Sequence, residues 1–259
     1  MSELLYSVEN STALIKINRP TVFNALNRDS KLALIELIKK ANADSEVKTI
    51  ILTAEGKAFC SGQDLNDRTV QSQDQRVDLG HTLETEWNPL VQALRSSEKI
   101  VIGAINGVCA GAGVSVAMAC DLIVAHAQVK FVSGFSKIGL IPDAGSNHVF
   151  VRALGRARAM EFFLFNQPMM AEQMHAAGLI NAIDENPLAW ATKKSAEINA
   201  MAPIPVKLIK KNLNFACDHS FSDVLKEEIG AQRTCGNSDD YQEGLKAFFE
   251  KRPAVFKGK

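Results

Sequence analysis

Apolar positions along the chain follow two periods. Up to about residue 185, short β-rich runs alternate with stripes of helical spacing, and beyond it only the stripes recur. Residues 13–18 alternate and are β-rich, which predicts a strand ended by Arg19-Pro20. From Ser30 onward Leu34, Leu37, Ile38 and Ala41 fall at i, i+3, i+4 and i+7, an amphipathic helix. Residues 49–54, TIILTA, are a continuous apolar run, a strand buried on both faces. Residues 66–82 are polar and aperiodic, a surface loop or lid. Trp87, Leu90, Val91 and Leu94 restore the helical stripe, with Pro89 limiting how far back that helix extends.

The stretch 99–121, KIVIGAINGVCAGAGVSVAMACD, predicts a buried strand, a turn at Asn106-Gly107 and a helix from near Gly111 made of small and apolar residues. A helix without a polar face is buried all round. Residues 122–125 and 130–132 read as two more strands, and 136–146 as a loop punctuated by Gly and Pro. Helical spacing then runs through 147–154, 156–165, 171–177, 187–201 and 203–216, with one short strand at 179–183. Ser220 and Asp223 have capping-box-like spacing before another helix, and a last one starts at Asp239. The division predicted is an α/β unit over 1–185 followed by a helical region over 186–259.

Composition narrows the possibilities. Lys plus Arg equals Asp plus Glu at 29 each among 259 residues, so no basic field argues for nucleic acid and a polyanionic ligand needs local cations. The first residues lack a basic segment followed by an apolar run, and no apolar run reaches membrane-spanning length. The five cysteines form no CxxC pair, which suits reduced thiols in a cytoplasm. The five histidines show no metal-ligand spacing.

Two glycine-containing turns, each after a buried strand, carry the candidate chemistry: Phe59-Cys60-Ser61-Gly62-Gln63-Asp64 and Ala110-Gly111-Ala112-Gly113. Glycine lets backbones approach closely, and the first turn of a helix leaves N–H groups with no intrahelical acceptor. Two such groups converging on one point bind oxygen charge that develops during a reaction. Close strand–helix packing would need the same glycines, so this stretch alone leaves both readings open. NGVCAGAG lacks the GxGxxG spacing of a dinucleotide site, and Gly113-Val114-Ser115-Val116-Ala117 ends in Ala where a nucleophile elbow needs Gly. Between Lys99 and Met160 the carboxylates are Asp121 and Asp143. Asp121 follows the buried helix directly and is expected to bond backbone at that junction. Asp143, among apolar neighbours in Gly139-Leu140-Ile141-Pro142-Asp143-Ala144-Gly145, is either a helix cap or a partly desolvated acid–base group.

Several strings together resemble the enoyl-CoA hydratase/isomerase (crotonase) superfamily over essentially the whole length. They are Asn18-Arg19-Pro20 with Asn24-Ala25-Leu26, AFCSGQDL (58–65), AINGVCAGAG (104–113), GLIPDAGS (139–146) and AFFEKRPAVFKGK (247–259). The strings GQDLNDR, NPLV, KFVSGFSKIGLIPD and GRARAM resemble the branch that isomerises ring 1,2-epoxyphenylacetyl-CoA in phenylacetate catabolism. The resemblance implies a core of ββα turns wound into a spiral, with C-terminal helices that pack subunits into trimers, often paired as hexamers. It implies an acyl-CoA thioester whose carbonyl is held by the N–H groups of Gln63 and Ala112. Ser61, Gly62, Asp64, Leu65 and Gly111 would flank the substrate, while Phe248 and Lys251 would reach a neighbouring subunit's coenzyme A. No separate cofactor is implied, since coenzyme A enters as part of the substrate.

The departures from the family pattern bear on the reaction. The two hydratase glutamates fall at Ser115, three residues after Ala112, and at Phe135, seven before Pro142. Adding water to an enoyl thioester needs a carboxylate-activated water and a proton donor, which neither side chain supplies. An isomerase needs one carboxylate and an anion hole. The narrower resemblance places that carboxylate at Asp143, with Phe135 as an aromatic wall beside a ring-bearing acyl group. Hydration or ring cleavage by another group, and acyl-CoA binding without catalysis, are the competing expectations.

Overall fold

A computed structural model of the chain describes residues 2–68 and 77–259. Its larger sheet has six strands in the order β1 (Leu4–Glu9), β2 (Thr12–Ile17), β3 (Thr49–Ala54), β5 (Ile100–Ile105), β7 (Leu122–Ala125) and β10 (Ala182–Ile183). Only the β1–β2 pair is antiparallel. A smaller sheet holds β4 (Ala58–Cys60), β6 (Val108–Ala110), β8 (Lys130–Val132) and β9 (Met169–Met170), with β9 antiparallel to the rest. Each of β3, β5 and β7 thus feeds a short strand of the smaller sheet and then helical structure. This is the ββα spiral that the family resemblance implies.

Burial on both faces explains the continuous apolar runs. Ile50 and Leu52 of β3 join the main core, whereas Ile51 turns the opposite way with Ile102, Ala104 and Val124 onto Ala191 of α7 (Pro187–Asn199). Helix α1 (Arg28–Ala43) starts at a capping box between Asn27 and Ser30 and buries Leu34, Ile35, Ile38 and Ala41.

Pro89 does not stop its helix. A short α2 (Leu79–Thr82) runs through a π-helical turn, Leu83–Trp87, into α3 (Asn88–Ser96), and the Asn88 N–H donates to the Leu83 carbonyl. The wider turn loosens the ladder just ahead of the proline, where a missing N–H and the ring would otherwise cost most. Of the predicted loop 66–82, residues 69–76 lie outside the described ones, Leu65–Arg68 forms a 3-10 turn, and α2 begins at Leu79.

Helix α4 (Ala112–Met118) is buried at every position. A 3-10 turn, Phe135–Ile138, opens the predicted loop before α5 (Ser146–Phe165). Gly155, at φ 71° and ψ 162°, divides α5 where the sequence predicts a break between two helices. The chain continues through α6 (Ala171–Ala176), α7, α8 (Pro203–Ala216), α9 (Phe221–Gly236) and α10 (Asp239–Glu250). On α8 to α10, Ile209, Leu213, Phe221, Ile229, Phe248 and Phe249 are 58–78% exposed. That is a large apolar surface for one chain to leave in water. No helix among the described residues is long and apolar enough to cross a membrane.

Candidate active site

The two glycine turns meet. Gly62 has φ +96°, and a Cβ on it would lie 3.1 Å from the Ala110 carbonyl oxygen and 3.2 Å from the Ala112 nitrogen. A Cβ on Gly113 would overlap the Cys60 carbonyl. Close packing of the two turns therefore requires glycine at 62 and 113.

The turn at Gln63 is held from the side of α1. The Leu26 N–H donates to the Gly62 carbonyl at 2.8 Å and the Asp64 N–H to the Leu26 carbonyl at 3.0 Å, a parallel bridge of Leu26 with Gln63. Such a bridge turns the N–H of its central residue away from the partner strand, so the Gln63 N–H is directed away from Leu26. Leu26 is itself placed by Asn24, fully buried, whose Nδ2 donates to the Glu55 and Ala58 carbonyls at 2.8 and 2.7 Å and whose Oδ1 accepts from the Arg19 N–H at 2.7 Å. The conspicuous Asn-Arg-Pro and Asn-Ala-Leu strings are thus a brace for this turn.

Asp64 joins the same brace. Its Oδ2 pairs with Arg19 Nη2 at 2.9 Å and its Oδ1 accepts from the Asn66 N–H at 3.1 Å. Burial pushes the Asp64 carboxyl up, but Asn66 and Arg19 together outweigh that and hold it below the usual range. Leu65 is exposed, and Ser61 is fixed by its N–H to the Phe23 carbonyl at 3.1 Å. Burial pushes the neighbouring Cys60 thiol up to about 12, which removes it as a thiolate nucleophile at neutral pH.

Across the turn, Gly111 at φ +55° donates its N–H to the Val132 carbonyl at 3.0 Å, and Ala112 opens α4. One turn further along α4, Ser115 is 2% exposed and its Oγ donates to the Asp143 carbonyl at 2.9 Å. The same carbonyl accepts from the Ser146 N–H at 3.0 Å and the Ser146 Oγ at 2.9 Å. Three donors therefore fix the backbone of Asp143 from two helices. No side chain caps the start of α5 at Gly145, and the Asp143 carbonyl takes the Ser146 N–H there. Asp143 Oδ1 is shielded from solvent, and the next residue, Ala144, is held at φ +47°, a conformation L-residues rarely adopt. Ser115→Ala is expected to lower stability by about 1 kcal/mol in urea unfolding, the net worth of one such hydrogen bond. A variant as stable as wild type would show that Ser146 suffices.

Beside Asp143 opens a cavity of about 700 Å³. Ser115, Met118, Ala144, Val149, Arg95 and Lys207 are among its lining residues, whereas Asp143, Gln63 and Ala112 are not. Phe135 is not among its lining residues. It is 7% exposed, is packed into the core, and its carbonyl accepts from the Leu140 N–H at 3.0 Å. Phe248, and Lys251 at φ +53°, lie at the end of α10, also outside the cavity lining. Asp121 bonds backbone as the sequence implied, its Oδ2 accepting from the Val101 N–H at 2.8 Å, and it also pairs with Lys210 of α8 at 2.6 Å. Sequence reasoning passed over Lys31, a lysine three residues before Leu34 on the buried stripe of α1. A charged residue on an apolar face was the available signal.

A ββα spiral with abutting glycine turns beside a fixed carboxylate loop defines an acyl-CoA enzyme of the enoyl-CoA hydratase/isomerase family, and the chain belongs to that family, whose sequence profile matches residues 7–259. The 1,2-epoxyphenylacetyl-CoA isomerase of Escherichia coli K12 is 40% identical over 261 residues, covering 100% of both chains. The 2,3-dehydroadipyl-CoA hydratase of the same organism is 28% identical, again over 100% of both. Among solved structures, an enoyl-CoA hydratase from Bacillus anthracis superposes with TM-score 0.93 at 25% identity, over 100% of each chain.

Proposed function

We propose that the chain is an acyl-CoA isomerase that converts ring 1,2-epoxyphenylacetyl-CoA to its oxepin and moves a 3-enoyl double bond to position 2. The observation that carries this reading is the occupation of both hydratase glutamate positions by groups with structural work. Ser115 clamps the Asp143 carbonyl and Phe135 fills the core. Asp121, the other carboxylate of the region, is paired with Lys210. In this reading Asp143 is the proton carrier.

In this reading the thioester oxygen lies against the Gln63 and Ala112 N–H groups and the acyl group enters the cavity beside Ser115. Asp143 takes a proton from the carbon next to the thioester, and the negative charge that moves onto the oxygen is held by the two donors. Returning the proton two carbons further along gives the 2-enoyl product. With the epoxide the same enolate lets the ring electrons reorganise to the seven-membered oxepin, with no atom gained or lost. The 40% identity to an isomerase of that name supports the ring substrate. The exposed apolar residues of α8 to α10 support self-association, which would bring Phe248 and Lys251 to a neighbour's coenzyme A.

Hydratases among the relatives keep hydration as the second reading. A panel of 3-hexenoyl-CoA, crotonyl-CoA and the epoxide separates the two. The expected products are 2-hexenoyl-CoA and the oxepin, with essentially no 3-hydroxybutyryl-CoA from crotonyl-CoA. Rapid hydration of crotonyl-CoA would overturn the isomerase reading, and acyl-CoA binding without turnover of either isomerisable substrate would leave a non-catalytic binding subunit.

A further inference from the structure

Beneath the Gln63 turn lies a buried charged cluster that the proposed proton transfer does not use. Lys31 of α1 has a side chain with no exposed surface, and its Nζ donates to Gln63 Oε1 at 2.8 Å. The same ammonium is paired with Glu86, itself 9% exposed, and lies 4.8 Å from the ring centroid of Trp87. Trp87 Nε1 donates to the same Gln63 Oε1, at 3.1 Å. The Gln63 amide carbonyl thus takes two donors at once, filling both lone pairs, while its Nε2 donates to the Asp64 carbonyl at 3.1 Å. Such a side chain has one orientation.

Glu86 and Trp87 are consecutive residues of the π-helical turn. The wider winding of a π turn brings neighbours closer to one face than an α-helix would, and both reach Lys31. Three parts of the chain therefore converge on one side chain: α1, the Gln63 turn and the π turn. A well-packed methionine or leucine at position 31 would fill the same space without desolvating a charge, so stability alone does not account for a buried ion pair. Geometry does, because a fork of donors on Gln63 Oε1 sets the plane of its side chain and, with the Leu26 bridge, the direction of its N–H.

We propose that Lys31, held by Glu86 and acting with Trp87, is a positioning residue that fixes the Gln63 N–H for the thioester oxygen. The inference rests on the enolate-holding role given above to Gln63. Its test is the paired variant Lys31→Met with Glu86→Gln, which leaves no charge buried alone, assayed on 3-hexenoyl-CoA. The expected result is a kcat lowered about 10- to 100-fold, the scale of a small misplacement at a reacting centre, with KM changed less than about threefold. A merely structural role would leave untouched a second readout, the infrared carbonyl stretch of bound butyryl-CoA carrying 13C at the thioester carbon. Its shift to lower frequency in wild type should shrink in the variant. Trp87→Phe, which removes one donor and keeps a ring, should move both readouts the same way by a smaller amount, and serves if the paired variant does not fold. A wild-type shift and kcat retained in the folded variants overturn the Lys31 proposal alone. A wild-type carbonyl with no shift removes the Gln63 role itself, and this inference with it.

Discussion

Asp143→Asn should fold as wild type does, bind acyl-CoA thioesters with little change in KM, and lose isomerase turnover by about 100- to 10,000-fold, the usual scale of a positioned acid–base group. Each part of that expectation has a structural cause. Three interactions that seat residue 143 run to its carbonyl, from Ser115 Oγ, the Ser146 N–H and Ser146 Oγ, and an asparagine keeps that carbonyl. The start of α5 has no side-chain cap to lose. Binding is assigned to the Gln63 and Ala112 turn and to the cavity, neither of which changes. What the substitution removes is a group able to accept a proton and give it back. Thermal unfolding, KM and single-turnover rates on 3-hexenoyl-CoA check the three parts separately. Turnover near wild type would move the base to another residue, and a collapse in stability would mean that the carboxylate has structural work after all.

The parts of the fold legible in the sequence are those whose signal is local. TIILTA and IVIGAI are unbroken apolar runs because β3 and β5 lie inside a parallel sheet covered on both faces, and the i, i+3, i+4, i+7 stripe of Leu34, Leu37, Ile38 and Ala41 marks α1. Strand β1 gave no such signal, since it is an edge strand with only Leu4 buried. In the smaller sheet β8 coincides with the strand read at 130–132, whereas β4, β6 and β9 are two or three residues long, too short for a period of two to show. Pro89 misled because its usual effect is local, whereas the π turn that accommodates it is fixed by Glu86 and Trp87 reaching Lys31 on another helix. The same division runs through the site. Glycines 62, 111 and 113 announce a close approach of backbones, but what they approach is settled only when β4 and β6 pair. Ser115 could be read as the loss of an acid; its bond to the Asp143 carbonyl spans 28 positions and has no trace in the local sequence.

Lys210→Met should destabilise the protein by about 3–5 kcal/mol at neutral pH, the cost of breaking a buried pair from one side. Lys210 is 6% exposed, and its ammonium serves three acceptors: Asp121 Oδ2 at 2.6 Å, the Leu94 carbonyl at 3.0 Å and the Lys99 carbonyl at 3.1 Å. Leu94 lies in the last turn of α3, where carbonyls lack helical partners and a cation is favoured by the dipole. Removing the ammonium leaves the two carbonyls without this donor and a largely buried carboxylate without its ion-pair partner, and it unpins α8 from the start of β5. The pH dependence follows from the direction of the shifts. Burial pushes the Asp121 carboxyl up and the Lys210 ammonium down, and each partner pulls the other back toward its charged form. Without Lys210 only the Val101 N–H and the more distant Arg95 still favour the charged carboxylate, so the Asp121 value in the folded state rises further. A carboxyl raised on folding contributes stability below its unfolded value that is lost as pH climbs through the folded one. The deficit of Lys210→Met against wild type is therefore smaller near pH 4 than near pH 7, read from urea midpoints at constant m-value. Adding Asp121→Asn to Lys210→Met should recover much of the loss at neutral pH and flatten that dependence, because the charge that needed a partner is gone. Equal midpoints for wild type and Lys210→Met at pH 7 would mean that water, not Lys210, satisfies Asp121.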